Sequence, residues 1–177
     1  MTVTLSETPV LATERLTLRA PVAADWPYWC DFAVSDRARF VRSKEPSEAN
    51  AWRAFAHMIG HWVLRGYGMF IVTRRGGDVP LGAAGPWYPA GWAEREIGWT
   101  LWSEEAEGQG IATEAARAGR AYAYGTLGWH DAVSYIHPDN AASIAVAERL
   151  GARRDTAAEE SGDEVRVYRH PGREART

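Results

Sequence analysis

The sequence has few of the residue types that usually mark a specialised class of protein. Cys30 is the only cysteine among 177 residues, which excludes an intrachain disulfide and a zinc site built from cysteines. Lys44 is the only lysine among 20 basic side chains, and 23 acidic side chains bring the formal net charge to −3. A general nucleic-acid binder needs an excess of basic side chains, so we expect no nucleic-acid partner.

Long apolar runs are also missing. No stretch approaches the roughly 20 residues that cross a bilayer, and the first ten residues lack the basic-then-apolar pattern of a signal peptide. We therefore expect no membrane partner and a cytoplasmic location. A content of 46% hydrophobic residues over this length predicts a single domain with a substantial core.

Periodicity and turn residues predict an α/β domain with a mixed sheet. Strands are predicted over residues 15–19, 69–73, 81–84, 96–102, 132–136 and 165–170. Helices are predicted from about 25 to 35, over 47–65, from 111 to about 127 and over 140–150. Asp25 and Ser47 are candidate N-caps, and Gly66 is expected to stop the second helix.

Helical spacing also predicts which faces are buried. The second helix is expected to bury a stripe made of Trp52, Phe55, Ile59 and Trp62. The third is expected to bury Ile111, Ala115, Ala118 and Tyr122, and to expose Thr113, Arg117, Arg120 and Tyr124. His57 and His61 have a spacing that could bind zinc, but no third ligand accompanies them, so no metal is expected.

A glycine-rich turn at Gly108 and Gly110 lies between a predicted strand and a predicted helix. Main-chain amides at such a turn, together with the helix dipole, can bind a pyrophosphate. Glycines at this kind of turn are also required sterically in many α/β proteins, so the turn alone leaves both interpretations open. The sequence has no Gly-Lys-Ser/Thr, and the turn lacks the third glycine of the dinucleotide fingerprint.

Four ordered blocks together resemble the GNAT superfamily of acyl-CoA N-acyltransferases. The blocks are residues 96–99, 108–115, 137–143 and 148–152. Residues 13–19, Thr-Glu-Arg-Leu-Thr-Leu-Arg, are similar to the RimJ/RimL branch, which acetylates the N-termini of ribosomal proteins. The resemblance covers about residues 10–170, so the whole chain, 1–177, is predicted to be one such domain.

The resemblance implies a mostly antiparallel, twisted mixed sheet, flanked by helices and splayed where acetyl-CoA binds, and it implies no metal. By position, the amides that hold the pyrophosphate belong to Gln109, Gly110, Ile111, Ala112 and Thr113. The main chain that pairs with the pantetheine arm belongs to Trp99, Thr100 and Leu101. Asn140 would contact the pantetheine, although it is also a natural N-cap, and Ser143 would lie near the thioester sulfur.

Two positions depart from the family pattern. Glu107 stands where the motif usually has Arg or Gln, so pyrophosphate binding would depend on the main-chain amides, aided by Arg117. Ala147 stands where some members carry a tyrosine that protonates the thiolate. Ser143 or water would have to supply that proton.

Acetyl transfer requires a neutral amine, and Glu96 is our candidate for the base. It begins the strand beside the donor, and strand alternation places it on the same face as Gly98 and Thr100. An ordinary glutamate is a weak base, so we expect burial to raise its pKa. The alternative is that Glu96 forms an ion pair with Arg95 or another arginine.

Nine tryptophans form an unusual aromatic surplus. Trp87, Tyr88 and Trp92 lie just before the predicted catalytic strand, and we expect them to form a wall of the acceptor site. The alternative is that these rings fill the core or a dimer interface.

The sequence therefore predicts an acetyl-CoA-dependent N-acetyltransferase that works by direct attack in a ternary complex. The acceptor is a protein N-terminal α-amine or a small-molecule amine. The protein is a monomer or a homodimer. A CoA-binding regulatory module without catalysis is the alternative from another functional class.

Overall fold

The computed structural model describes residues 5–41, 45–158 and 165–172, so Lys44 and the first four residues lie outside it. The strands are β1 (Leu11–Ala12), β2 (Leu16–Arg19), β3 (Phe70–Arg74), β4 (Pro80–Trp87), β5 (Glu96–Leu101), β6 (Val133–Ile136), β7 (Arg153–Arg154) and β8 (Arg166–Arg169). The helices are α1 (Trp26–Ala33), α2 (Glu48–Arg65), α3 (Ile111–Gly125) and α4 (Ala141–Arg149).

All eight strands form one sheet, in the order β1-β2-β3-β4-β5-β6-β8-β7. Every neighbouring pair is antiparallel except β5 and β6, which are parallel. The mixed, mostly antiparallel sheet and the predicted helices and strands are confirmed. The two-residue strands β1 and β7 were not predicted, and β4 extends further than predicted, to Trp87.

Each face of the sheet is covered by helices. Ile71 of β3 packs in a cluster with Trp29 of α1 and Phe55 of α2. Its neighbour Val72 points to the other face and packs with Ala115 of α3. Alternate residues of one strand therefore contribute to separate parts of the core, as the period of a strand requires.

A close contact between two glycines brings α3 onto the sheet. A Cβ added to Gly119 would lie 2.6 Å from the Cα of Gly85 in β4, closer than any side chain can approach. The N-terminus of α3 is thereby placed beside the central strands. None of the helices in the described ranges is both long and apolar enough to cross a membrane.

The predicted signals at the ends of α2 are confirmed. The Ser47 side chain accepts a hydrogen bond from the main-chain N–H of Asn50, and Gly66 ends the helix with a φ of 75°. Asp25 occupies the N-cap position of α1, but its side chain makes no cap bond there. Its buried carboxylate instead pairs with Arg19 at 2.7 Å, because an arginine from β2 lies within reach.

Two of the predicted helix faces are wrong in part. Trp52 is 56% exposed. It lies near the start of α2, where the ring of Trp26 packs against it with 4.9 Å between ring centroids. Thr113 was expected on a polar stripe but is buried. Helix α3 contacts both the sheet and α4, so its buried face is wider than one stripe.

Candidate functional site

A cleft with a volume of about 1300 Å³ lies beside the C-terminal end of β5 and the N-terminal ends of α3 and α4. It is lined by most of the donor-site residues predicted from the sequence: Trp99, Thr100, Leu101, Gly110, Ile111, Ala112, Thr113, Asn140 and Ser143. The structure thus brings residues from three separate sequence blocks to one cavity.

The cleft opens where two parallel strands separate. In the part of the chain that the structure describes, the ladder between β5 and β6 contains one residue pair, Glu96 with Val133. The main-chain N–H of Val133 donates to the carbonyl of Arg95 at 2.9 Å, at the closed end of this splay. The main chain of β5 from Trp99 onward is therefore free of β6 and borders the cleft.

A chain of side-chain hydrogen bonds holds the strands together just beyond that pair. The Ser134 hydroxyl donates to the carbonyl of Ile97 at 2.6 Å, so the Nε2–H of His170 must be the donor in its 2.9 Å bond to the same hydroxyl. Nδ1 of His170 then accepts from Arg120 at 3.2 Å. Burial, with a smaller contribution from the Arg120 charge, lowers the pKa of His170 to about 4, so the ring is neutral.

The glycine turn presents main-chain amides to the cleft. Gly108 and Gly110 have φ angles of 70° and 75°, in the left-handed region that favours glycine. The N–H of Glu114 makes the first bond of α3, to the carbonyl of Gly110, which leaves the amides of residues 111–113 without a partner within the helix. Such amides, together with the positive end of a helix dipole, can bind an anion.

Two arginines hold this turn by hydrogen bonds to Gln109. Nη1 of Arg15 donates to the carbonyl of Gln109 at 3.0 Å, and Nη2 of Arg74 donates to the Gln109 side chain at 2.6 Å. Arg15 also forms an ion pair with Glu114 at 2.6 Å, and Thr13 donates to the same carboxylate. Burial alone would raise the pKa of Glu114, but these hydrogen bonds bring it below its usual value.

The charges around the cleft explain why Glu107 is tolerated. Its carboxylate forms an ion pair with Arg37, which also donates to the carbonyls of Leu101 and Trp102 at the end of β5. Glu107 is therefore neutralised beside the amide turn. Arg117 and Arg149 also line the cleft, and neither has a carboxylate partner among the described residues.

Glu96 lies at the closed end of the splay and faces away from Ile97 of the core. The indole Nε1–H of Trp92 donates to its Oε2 at 2.7 Å. Glu96 is half-buried, and its partial removal from water raises its pKa to about 7, against the Trp92 bond and the main-chain N–H of Tyr135, which lower it. The described residues give it no ion pair, and the guanidinium of Arg95 lies over the Trp129 ring instead.

The chain was compared with known proteins. The family model described as an acetyltransferase (GNAT) domain matches residues 15–153. An acetyltransferase from Agrobacterium tumefaciens is 36% identical, with a TM-score of 0.86 over 97% of this chain and 99% of that chain. The chain belongs to the GNAT acetyltransferase family.

Other GNAT structures share the fold at lower identity. One from Bacillus anthracis is 23% identical, with a TM-score of 0.72 over 92% of this chain and 96% of that chain. RimL, a ribosomal L7/L12 α-N-protein acetyltransferase in complex with coenzyme A, is 22% identical, with a TM-score of 0.68 over 92% of this chain and 96% of that chain. No match was found among the curated proteins.

The comparisons show that the protein is an acyltransferase enzyme, and they give no support to a regulatory module without catalysis.

The two positions expected beside the thioester do lie together. Asn140 caps α4 by accepting from the N–H of Ser143 at 3.1 Å, and both residues line the cleft, so capping and ligand contact are compatible. Ala147 is fully buried and places no polar group there.

The three aromatic residues proposed for the acceptor site do not lie together. Trp87 ends β4 directly opposite Glu96, rather than in a loop, and its ring stacks on His61 of α2 with centroids 4.5 Å apart. Tyr88 packs instead against the buried cluster that contains Ile97 and Trp129, on the other face of the sheet. Trp92 is the one that bonds to Glu96.

His61 itself has both ring nitrogens engaged. Nδ1 donates to the carbonyl of Tyr67 at 2.7 Å, and Nε2 accepts from the N–H of Tyr88 at 3.0 Å, with roles assigned from the two partners. Burial lowers the pKa of His61, consistent with a neutral ring. Within the described ranges, no group of three His, Cys, Asp or Glu residues could hold a metal ion.

Sequence reasoning missed several residues that shape the site. Arg15 and Arg37 reach the cleft although they lie about 95 and 70 residues before their partners at 109 and 107. Arg74 supports the turn through Gln109, and His170 supports the splay through Ser134. Arg15 does lie in the block that resembles the RimJ/RimL branch, which is a sequence signal. Nothing local in the sequence indicates the others.

Proposed function

We propose that the protein transfers the acetyl group of acetyl-CoA to a primary amine of low pKa, with an N-terminal α-amine of a protein or peptide as the leading candidate. The observation that carries the proposal is the position of Glu96. Its carboxylate lies at the closed end of the β5–β6 splay, on the strand whose other end borders the cleft.

The cleft suits the donor. The amides at the start of α3 are placed to accept a pyrophosphate, and the left-handed glycines leave no side chain in its way. Arg117 and Arg149 supply cationic groups that the described part of the protein does not neutralise. The open main chain of Trp99–Leu101 offers hydrogen bonds to the pantetheine arm.

In the proposed reaction, Glu96 accepts a proton from the ammonium form of the acceptor, directly or through water. The neutral nitrogen attacks the thioester carbonyl, a C–N bond forms and the C–S bond breaks. Coenzyme A leaves as a thiolate, and the second proton of the attacking nitrogen passes to that sulfur through Ser143 or through water, which leaves a neutral amide. No covalent enzyme intermediate is needed, because both substrates meet at the splay.

The pKa of the base favours an acceptor of low pKa. A carboxylate with a pKa of about 7 lies roughly one unit below an α-amine, whose pKa is about 7.7–8.0, and more than about three units below a lysine, at about 10.4. At about 1.4 kcal/mol per unit, proton removal from lysine costs roughly 3 kcal/mol more. The same reasoning admits a small amine of low pKa.

The similarity to RimL supports an α-amine, because that protein is named as an α-N-protein acetyltransferase. Membership of this chain in the RimJ/RimL branch is part of the proposal. It is also consistent with residues 13–19, in which Thr13 and Arg15 hold the first turn of α3.

The test is release of free thiol from acetyl-CoA in the presence of matched acceptors. The panel contains peptides with a free α-amine, the same peptides with a blocked α-amine and a free lysine, and small amines of graded pKa. We expect release with free α-amine peptides. Coenzyme A binding without release on any acceptor would contradict the proposal and favour a binding module.

A further inference from the structure

We propose that Trp92 is a positioning residue for Glu96: its indole N–H fixes one carboxylate oxygen and leaves the other free to receive the proton of the acceptor. The proposal rests on the proposed role of Glu96 as the base. It also assigns Trp92 a role different from the acceptor wall expected from the sequence.

The geometry separates the two carboxylate oxygens. Oε2 accepts from Nε1 of Trp92 at 2.7 Å, whereas Oε1 lies on the side of Gly98, 3.8 Å from where a Cβ of that residue would be. The Sδ and Cε atoms of Met69 lie 3.3 Å from that same position, so an uncharged thioether borders Oε1 on this side. The next residue on this face of β5 is Thr100, which lines the cleft, so Oε1 and the cleft lie on the same face of the strand.

Trp92 is itself held in place. Its main-chain N–H donates to the carbonyl of Pro89 at 3.2 Å, which closes a tight turn before β5. Its ring meets the ring of Tyr135 edge-on, with centroids 6.5 Å apart. Trp92 is 41% exposed, so its replacement does not open a cavity in a packed core.

The surroundings of Glu96 make this bond important. Met69, just before β3, and Trp87 of β4 present no charge to it, and Tyr135 of β6 contributes a main-chain N–H and a phenol. Glu94, two residues before it, pairs with Arg169 at 2.8 Å, and Arg169 also pairs with Asp155 at 2.6 Å. In the described ranges, Trp92 is therefore the one side chain that hydrogen-bonds to the carboxylate and opposes the effect of burial on its pKa.

The experiment compares Trp92→Phe with the wild type, and uses Trp52→Phe as a matched control because that exposed indole lies on α2. The carboxyl carbon of Glu96 is titrated by NMR in the resting protein and assigned with Glu96→Gln. We expect Trp92→Phe to raise the pKa of Glu96 by about one unit, which is the size expected for one lost hydrogen bond to a charged group. Trp52→Phe should leave it unchanged.

The pH profile of kcat/KM gives the second readout. For a one-unit rise from a pKa of about 7, kcat/KM of Trp92→Phe should fall about fivefold at pH 7 and recover above pH 9. A loss that is equal at every pH would overturn the proposal, since it would indicate lost acceptor contact. An unshifted NMR titration would also overturn it, whereas absence of transfer by the wild type would count against the proposed function alone.

Discussion

At the scale of single residues, Glu96 combines a position and an environment that an acetyl transfer base needs. It lies where the sheet begins to open, and burial moves its pKa to the range in which a carboxylate can exchange a proton with an amine near neutral pH. Its neighbour Arg95 stacks on Trp129, and no cation in the ranges that the structure describes pairs with the carboxylate. The residue therefore has no evident structural task as an ion-pair partner.

Replacing this carboxylate should remove base catalysis without disturbing the donor. We expect Glu96→Gln to lower kcat/KM for a peptide α-amine by about 100-fold at pH 7–8, the lower end of what a general base contributes. The wild-type profile should rise with pH through about 7, and this limb should be absent in the variant. Steady-state thiol release measures both, with Glu148→Gln on the exposed side of α4 as the control.

Arg117 is the cleft cation that is most simply tested for donor binding. It is exposed, lines the cleft and has no carboxylate partner in the described part of the chain. We expect Arg117→Ala to weaken coenzyme A binding about fivefold, or ~1 kcal/mol, with a smaller loss at high salt. Calorimetric titration measures the effect. An equal loss in Arg53→Ala, on the outer face of α2, would show that only the net charge matters.

At the scale of elements, the donor site depends on how α3 begins. Two left-handed glycines precede three amides that have no partner within the helix, beside the cleft, and Arg15 and Arg74 hold the turn through Gln109. The approach of Gly119 to Gly85 fixes the same helix against β4. The anion site is thus a property of the helix as packed, and the glycines alone do not create it.

A methyl group at Gly110 should disturb this start. Its φ of 75° lies in the left-handed region, which costs a residue with a Cβ roughly 1–2 kcal/mol. We expect Gly110→Ala to unfold at lower denaturant concentration and to bind coenzyme A about tenfold more weakly. The matched control is Gly60→Ala in α2, where an added Cβ meets nothing within 4 Å and should stabilise the helix.

Local signals made most elements predictable. Ser47 and Gly66 mark the ends of α2 because caps act through the nearest residues of the chain. The errors occur where tertiary packing decides. Trp52 has the spacing of a core residue but is only partly covered by the Trp26 ring of α1, and Trp87 looks like a loop residue until its pairing with Glu96 is known.

At the scale of the whole molecule, a residue next to the last strand supports the site without lining the cleft. His170 follows β8 and, through Ser134, fixes the carbonyl of Ile97 where β5 leaves β6. Arg120 of α3 donates both to this ring and to the carbonyl of Leu150 at the end of α4. One buried neutral histidine therefore links two strands and two helices around the splay.

This histidine should make stability depend on pH. Its pKa is about 4 in the folded protein and about 6.5 when unfolded, so between these values the unfolded chain binds the extra proton. Its contribution is complete above pH 6.5 and is lost by up to roughly 3 kcal/mol as the pH falls toward 4. Glu96, with its raised pKa, acts with the opposite sign, so the comparison must be made against a variant.

We expect His170→Asn to be less stable than the wild type at pH 7, and the gap between them to narrow as the pH falls from 6.5 to 4. Denaturant unfolding at several pH values measures this gap, with His130→Asn on the surface as the control. A gap that stays constant with pH would mean that His170 titrates normally in the folded protein.

Contacts of this range could not be predicted from the sequence. The bonds of Arg15 with Glu114 and of Ser134 with His170 join residues far apart in the chain, and neither residue of a pair indicates the other. The motif blocks identify the donor side because their residues are close in sequence. The partners of Glu96 and of the glycine turn follow only from the folded chain.

The most direct test of the central claim uses one peptide that carries both a free N-terminal α-amine and an internal lysine. The peptide is incubated with acetyl-CoA and the enzyme at pH 7, and the acetylated position is read by fragment mass spectrometry. The account predicts acetylation of the α-amine in the wild type and its loss in Glu96→Gln. Acetylation of the lysine in preference to the α-amine would contradict it.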